Sequence, residues 1–162
     1  MARQRYNAVG DSFFSDQEIY DGIYQAQMVL AQETHCIEKI YTTTTVASTQ
    51  EYVYPTNLIA VKRATYDGKK IDPITMREDD ALTLINQTTT ETGTPAYYFE
   101  WAGSVFLRPI PDSALTLKIF AIAQPKAVSS TSTLAVPVHY HLEMLYFLVH
   151  IMAVKDSNNI LA

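Results

Sequence analysis

One cysteine, Cys36, stands alone in 162 residues. That excludes an internal disulfide framework and a zinc site built from several thiolates. Glycine is also scarce, at five, and those five form neither a phosphate-cradling loop nor a dinucleotide fingerprint. Charged residues make up 18%, and the formal net charge is −5. No basic stripe is present. The densest positive spots are the pairs Lys62-Arg63 and Lys69-Lys70, whereas a groove that grips nucleic acid clusters many Lys and Arg. No apolar run reaches the length of a membrane span. The opening MARQRYNAVGDSFF has no signal-peptide core, so synthesis in the cytoplasm is expected.

What is abundant is apolar and aromatic. Hydrophobic residues reach 48%, with eleven tyrosines, six phenylalanines and one tryptophan. This is a globular chain long enough for one domain with a real core. Its low charge leaves room for surface buried against partners, and tyrosine suits half-wet surfaces.

The first helix announces itself by its cap. Ser15 is followed three residues later by Glu18, a capping box, and Phe14 with Ile19 can form the hydrophobic staple. Ile19, Ile23, Ala26 and Leu30 recur at helical spacing, which predicts a helix over Asp16–Thr34. Gly22 either weakens it or permits a close approach. From Ile37 the period changes. IEKIYTTTTV, Glu51–Tyr54 and Leu58–Tyr66 read as strands. Asp67-Gly68 signals a hairpin into Lys70-Ile71-Asp72-Pro73. Thr75 and Glu78 form a second capping box before a short helix ending near Asn86. QTTTETGT is a polar loop. In TGTPAYYFEWAGSVFLRPIP, Tyr97, Phe99 and Trp101 share one face of a strand, Ala102-Gly103-Ser104 reverses the chain, and Val105 and Leu107 begin its partner. Leu115, Leu117, Ile119 and Ala121 alternate in a last strand to about Ala123. After the polar linker KAVSSTSTL, Pro137 opens a helix expected to run to Val154, with Leu142, Leu145, Val149 and Met152 as its stripe and Asp156–Asn159 as its stop.

The expected fold is therefore α+β. Terminal helices, about 13–36 and 135–162, pack as a helical base through Ile23, Leu30, Leu142, Leu145 and Val149. An antiparallel sheet or sandwich lobe, about 37–125, is inserted between them. The whole, 1–162, is read as one domain with its termini close together and the lobe projecting from the base.

Reactive constellations are weak. HYHLE places His139 and Glu143 at i, i+4, but His141 points away and no third ligand is in sequence reach. Glu78, Asp79 and Asp80 read as dipole-stabilising, solvated acids. His35 and Cys36 are neighbours, and neighbours on a helix end point apart. No catalytic, metal or cofactor residue is assigned. Phe99 and Trp101 read as sheet core. Tyr52, Tyr54 and Tyr98, the hairpin Asp67-Gly68, and Gln87, Thr88 and Thr92 in the threonine-rich loop read as oligomer or partner interface.

The order FFSDQEIYDGIYQAQ, STQEYVYPTNLIAVKRATYDGKKIDPIT, TGTPAYYFEWAGSVFLRPIPD and LAVPVHYHLEMLYFLVHIMAVKD resembles the head-to-tail adaptor (connector) proteins of tailed bacteriophages, from about Phe13 to Asp156. The resemblance implies a structural, non-enzymatic role in the virion neck. It implies a homo-oligomeric ring, commonly of twelve copies, that joins the portal protein to a tail, nozzle or stopper protein. DNA would pass through the lumen without specific binding, and no cofactor and no membrane are implied. Similar proteins often continue into a C-terminal arm that reaches the portal. Two other readings stay open on the residues alone: a monomeric β-sandwich binding module for glycan or protein, using the exposed aromatics, and a metal-dependent hydrolase through HYHLE.

Overall fold

The computed structural model describes residues 14–86 and 91–160. Its elements are, in order, α1 (Asp16–Thr34), β1 (Glu38–Thr44), β2 (Glu51–Val53), β3 (Leu58–Tyr66), β4 (Lys69–Pro73), α2 (Met76–Asn86), β5 (Thr92–Gly93), β6 (Tyr97–Trp101), β7 (Ser104–Arg108), β8 (Ile110–Pro111), β9 (Thr116–Ala123), a single 3₁₀ turn (Val138–Tyr140) and α3 (His141–Ile160). The chain is α+β and divides into two units, one of Met1–Ile37 with Gln124–Ala162 and one of Glu38–Ala123.

In the helical unit the Ser15 hydroxyl accepts from the Glu18 N–H, while the Glu18 carboxylate accepts from the Ser15 N–H at 2.9 Å. Two orphan donors of the first turn are thereby satisfied. The helix ends on His35 in the left-handed conformation, its N–H bonded to the Ala31 carbonyl. Phe14, Leu148 and Met152 form the buried cluster, with Ile19 and Ile23 against it. Gly22 is what lets the two helices come close. A Cβ built there would lie 2.6 Å from Leu148 Cδ1.

The stripe on α3 is therefore Met144, Leu148 and Met152, at i, i+4 and i+8, and Leu142 is exposed. Leu142, Leu145 and Val149 are not its buried face. An apolar girth leaves the facing side open, and the contact at Gly22 selects it. Nor do Asp156–Asn159 stop α3, which runs on to Ile160. Asp, Ser and Asn are weak helix formers, but each costs far less than Pro, and with neither Pro nor Gly here nothing breaks the ladder. Pro137 precedes the 3₁₀ turn, and the α-helix begins four residues later.

Gln27, on the face of α1 that the hydrophobic pattern left polar, is buried, and its carbonyl accepts from the Ala135 N–H at 2.8 Å. Burying an amide costs free energy unless it is paired, so this bond fixes the segment leading to Val136 against α1.

The β unit holds one seven-stranded sheet in the order β1-β9-β3-β4-β6-β7-β2, and a separate pair, β5-β8. The large sheet is antiparallel except where β4 meets β6 in parallel. Parallel neighbours need a crossover, and α2 supplies it. β4 serves both halves: Lys69–Ile71 pair with β3, and Asp72 and Pro73 pair with β6. The sheet curls, so that Tyr66, Ile71, Leu117 and Ile119 from one half and Tyr98, Val105 and Leu107 from the other join a single core cluster. Thr45, at the end of the four-threonine run, is buried and accepts from the Leu115 N–H at 3.0 Å.

Two hairpins have two-residue turns with both residues at positive φ: Asp67-Gly68 (49°, 76°) and Ala102-Gly103 (49°, 82°). That pattern matches the right-handed twist of the strands it joins. Ser104 belongs to β7, not to the turn.

Candidate interaction surfaces

β6 decides which aromatics are available. Its partner β7 pairs Tyr97 with Arg108, Phe99 with Phe106, and Trp101 with Ser104. Paired residues share a face. On the inner face Tyr98 is 2% exposed and sits in the core cluster. On the outer face α2 lies against β6. There the Asp79 carboxylate accepts from Arg108 Nε at 2.6 Å and from Nη2 at 2.9 Å, and Phe99 stacks on Phe106 with centroids 4.9 Å apart. Asp79 is buried, so it is not one of a solvated trio. Glu78 alone serves the cap, accepting from the Thr75 N–H at 2.6 Å, and this bond lowers its pKa.

Trp101 is 57% exposed, and Val53, which pairs with the same Ser104, is 80% exposed. Trp101 is thus surface where core was expected, and Tyr98 is core where interface was expected. Alternation cannot tell these apart when α2 buries the middle of the outer face.

The other two tyrosines lean inward as well. Tyr52 and Tyr54 are half-buried against the core cluster. The Tyr52 hydroxyl accepts from the Val46 N–H at 3.0 Å and donates to the Thr49 carbonyl at 2.8 Å, tying β2 to the turn after β1. Burial pushes the phenol pKa of Tyr52, Tyr54 and Tyr98 upward, with the nearby Glu100 carboxylate adding to it at Tyr54 and Tyr98. The Asp67-Gly68 turn is fully outward, with no heavy atom within 4 Å of a Cβ built on Gly68. Thr92 is exposed but held in β5, paired in parallel with β8. Gln87 and Thr88 lie outside the described residues.

On the helical unit, Val138 in the 3₁₀ turn, and Leu142 and Tyr146 four residues apart on α3, are exposed. The HYHLE segment is spread out. His141 Nε2 is 3.0 Å from the Val136 carbonyl, the His139 ring tilts against Tyr140, and Glu143 is exposed. Among the described residues no three His, Cys, Asp or Glu come together as a metal site, and no helix is long and apolar enough to cross a membrane. What the geometry offers is apolar and aromatic surface held on rigid elements.

A match to the SU10 adaptor protein family covers residues 2–161. The chain belongs to that family of phage head-to-tail adaptors. Comparison with curated proteins finds no match. As an SU10-family adaptor it is a virion protein that associates with other head and tail proteins of the phage. An adaptor needs surfaces more than reacting groups. Trp101, Val53, Val138, Leu142 and Tyr146 are among the large apolar groups exposed for that work, with Ile40 and Val46. Alternation misplaced Trp101. The helical spacing of Val138, Leu142 and Tyr146 was readable, but it could not be assigned to the outside.

Proposed function

We propose that this adaptor is a single domain, residues 1–162, that closes into a ring of about twelve copies in the virion neck. The ring joins the portal protein to a tail, nozzle or stopper protein and prolongs the channel through which DNA leaves. It acts by assembly and carries out no reaction. It is made in the host cytoplasm and built into the particle there.

The observation that carries this reading is the pair of unlike apolar surfaces. Trp101 with Val53 on the sheet, and Val138 on the 3₁₀ turn with Leu142 and Tyr146 on α3, are chemically different patches. A closed ring requires a heterologous contact, in which one patch meets a different patch on the next copy. The Asp67-Gly68 turn, Thr92 on β5, and Gln87 and Thr88 are then the groups that meet portal or tail. The net charge of −5 per copy suits a lumen through which DNA slides without being held.

Imaging of the particle, or of the adaptor mixed with portal protein, tests the reading. A symmetric ring coaxial with the portal is the expected result. A twofold dimer away from the portal, or a lone subunit on a fibre, would overturn it.

A further inference from the structure

The large sheet ends on β1 at one side and on β2 at the other, and the two edges differ. The Thr45 N–H donates to the Leu115 carbonyl at 2.8 Å, and on the far side of β9 the Asp67 N–H donates to the Thr116 carbonyl at 2.9 Å. Bonded and unbonded pairs alternate along an antiparallel ladder. Lys39, Tyr41 and Thr43 therefore turn their backbone groups toward β9, and Ile40, Thr42 and Thr44 each direct an N–H and a carbonyl away from the sheet. Among the described residues no strand pairs on that side. At β2, bonds from Leu107 to Gln50 and from Tyr54 to Gly103 leave only Glu51 and Val53 facing out, and Pro55 follows. Sheet edges are usually blunted by brevity, proline, bulges or charge. β2 is short. β1 has seven residues, pairs with β9 without a bulge, and carries neither proline nor charge from Ile40 to Thr44. All of it but Tyr41 is exposed. Tyr41 packs on the core cluster, so Ile40, Thr42 and Thr44 take the opposite face, where Ile40 pairs with Phe120. A groove of about 490 Å³ adjoins this edge, with Ile40, Phe120 and Ile122 among its lining residues.

Outward N–H and carbonyl groups at alternate residues are matched by another extended strand, which gains affinity from its main chain and specificity from its side chains. Among the described residues this protein has no second open edge to match β1. β2 offers two outward residues, and β5 and β8 are two residues each. Two copies of β1 match in length, but that pairing closes a twofold dimer, whereas a ring needs unlike surfaces. The family associates with other head and tail proteins. We propose that β1 accepts, as an added strand, an extended, proline-free segment of a head or tail protein other than the adaptor itself. The backbone of that segment pairs with Ile40, Thr42 and Thr44. An aliphatic side chain opposite Ile40 continues the Ile40-Phe120 row, and uncharged hydroxyl or β-branched side chains stand opposite Thr42 and Thr44. This inference rests on the ring reading and assigns it one contact to a different protein.

Hydrogen exchange read at single amides compares the isolated full chain with the same chain in intact phage particles. In isolation the Ile40, Thr42 and Thr44 amides should exchange fast and those of Tyr41 and Thr43 slowly, because only the latter bond to β9. In particles all of them should be slow, the three outward amides slowing by roughly tenfold or more. Thr42→Pro removes an outward donor and no bond to β9, a change that an edge strand tolerates. Checked for folding by an unchanged melting curve, it should lower incorporation of the adaptor into particles, whereas Thr42→Val should not. If Thr42→Pro melts lower, the exchange comparison on the native chain decides alone. Rings coaxial with the portal whose outward amides stay fast would overturn the added strand and leave the ring standing. So would a folded Thr42→Pro that is incorporated like Thr42→Val. Slowing that already appears when the isolated chain is concentrated would overturn it too, because a second copy would then be the occupant. Particles without an adaptor ring would overturn the ring reading itself, and this contact with it.

Discussion

The β unit and the helical unit bury themselves in different ways. In the sheet, nine buried residues drawn from both halves form one cluster, with further tyrosines and aliphatic residues around it. In the helical unit the buried cluster is Phe14, Leu148 and Met152, and it depends on one glycine for the approach of two helices. Along α3, Leu142 and Tyr146 are left outside. A curled sheet closes on its own core, whereas two helices can bury only one face each. The β unit is therefore a finished scaffold with small patches at its surface, and the helical unit is the part with most to gain from neighbours.

The largest effect is expected inside the β unit, at the pair that clamps α2 to the sheet. Asp79→Ala leaves Arg108 without its carboxylate at a mostly buried site. Removing one partner of a buried pair costs about 3–5 kcal/mol, which denaturant unfolding would read. A loss below about 1 kcal/mol would mean that α2 is held by something else.

Next comes the helical cluster. Leu148→Ala should cost about 2–5 kcal/mol, and the same truncation at the half-buried Leu145 should cost clearly less. Equal losses would erase the distinction between the facing and outer sides of α3.

Gly22→Ala sharpens the same point. In the native chain the added methyl meets Leu148, and overpacking of this kind costs about 1–3 kcal/mol. In a Leu148→Ala background the space is free, and the substitution should instead stabilise by about 1 kcal/mol, the helix propensity of Ala over Gly. Thermal melts of the four proteins complete the cycle. A Gly22→Ala effect that is the same in both backgrounds would show that the close approach does not involve Leu148.

The smallest effect is electrostatic. The Lys155 ammonium, together with the Ser15 N–H and hydroxyl, lowers the Glu18 pKa from 4.5 to about 2. A depressed carboxylate stabilises the fold above its unfolded value and loses that contribution as pH falls toward the folded one. The helical unit should therefore weaken between about pH 4.5 and 2, and Glu18→Gln should flatten that part of the profile. The group is open to solvent, so the slope should be shallow and fade further in high salt.

Much of the architecture was written locally. The capping boxes at Ser15-Glu18 and Thr75-Glu78, the two-residue turn at Asp67-Gly68 and the strand Leu58–Tyr66 each depend on residues within a few positions of one another, so the chain alone determined them. The end of the last helix was also a local question, and there the weak helix propensity of Asp156–Asn159 was too small to stop a helix already formed.

What tertiary structure alone decided lies farther apart. Asp79 meets Arg108 across 29 residues, and Gln27 meets Ala135 across 108. Neither spacing is a period of any element, so no local rule could join them. Parallel pairing of β4 with β6 needs the crossover through α2. That crossover in turn buries Phe99 on the outer face and leaves Trp101 beyond its cover. Alternation says only that Tyr98 and Trp101 point opposite ways. Which of them is core and which is surface is set by what the rest of the chain lays on each side, because burial belongs to the assembled layers and not to the strand.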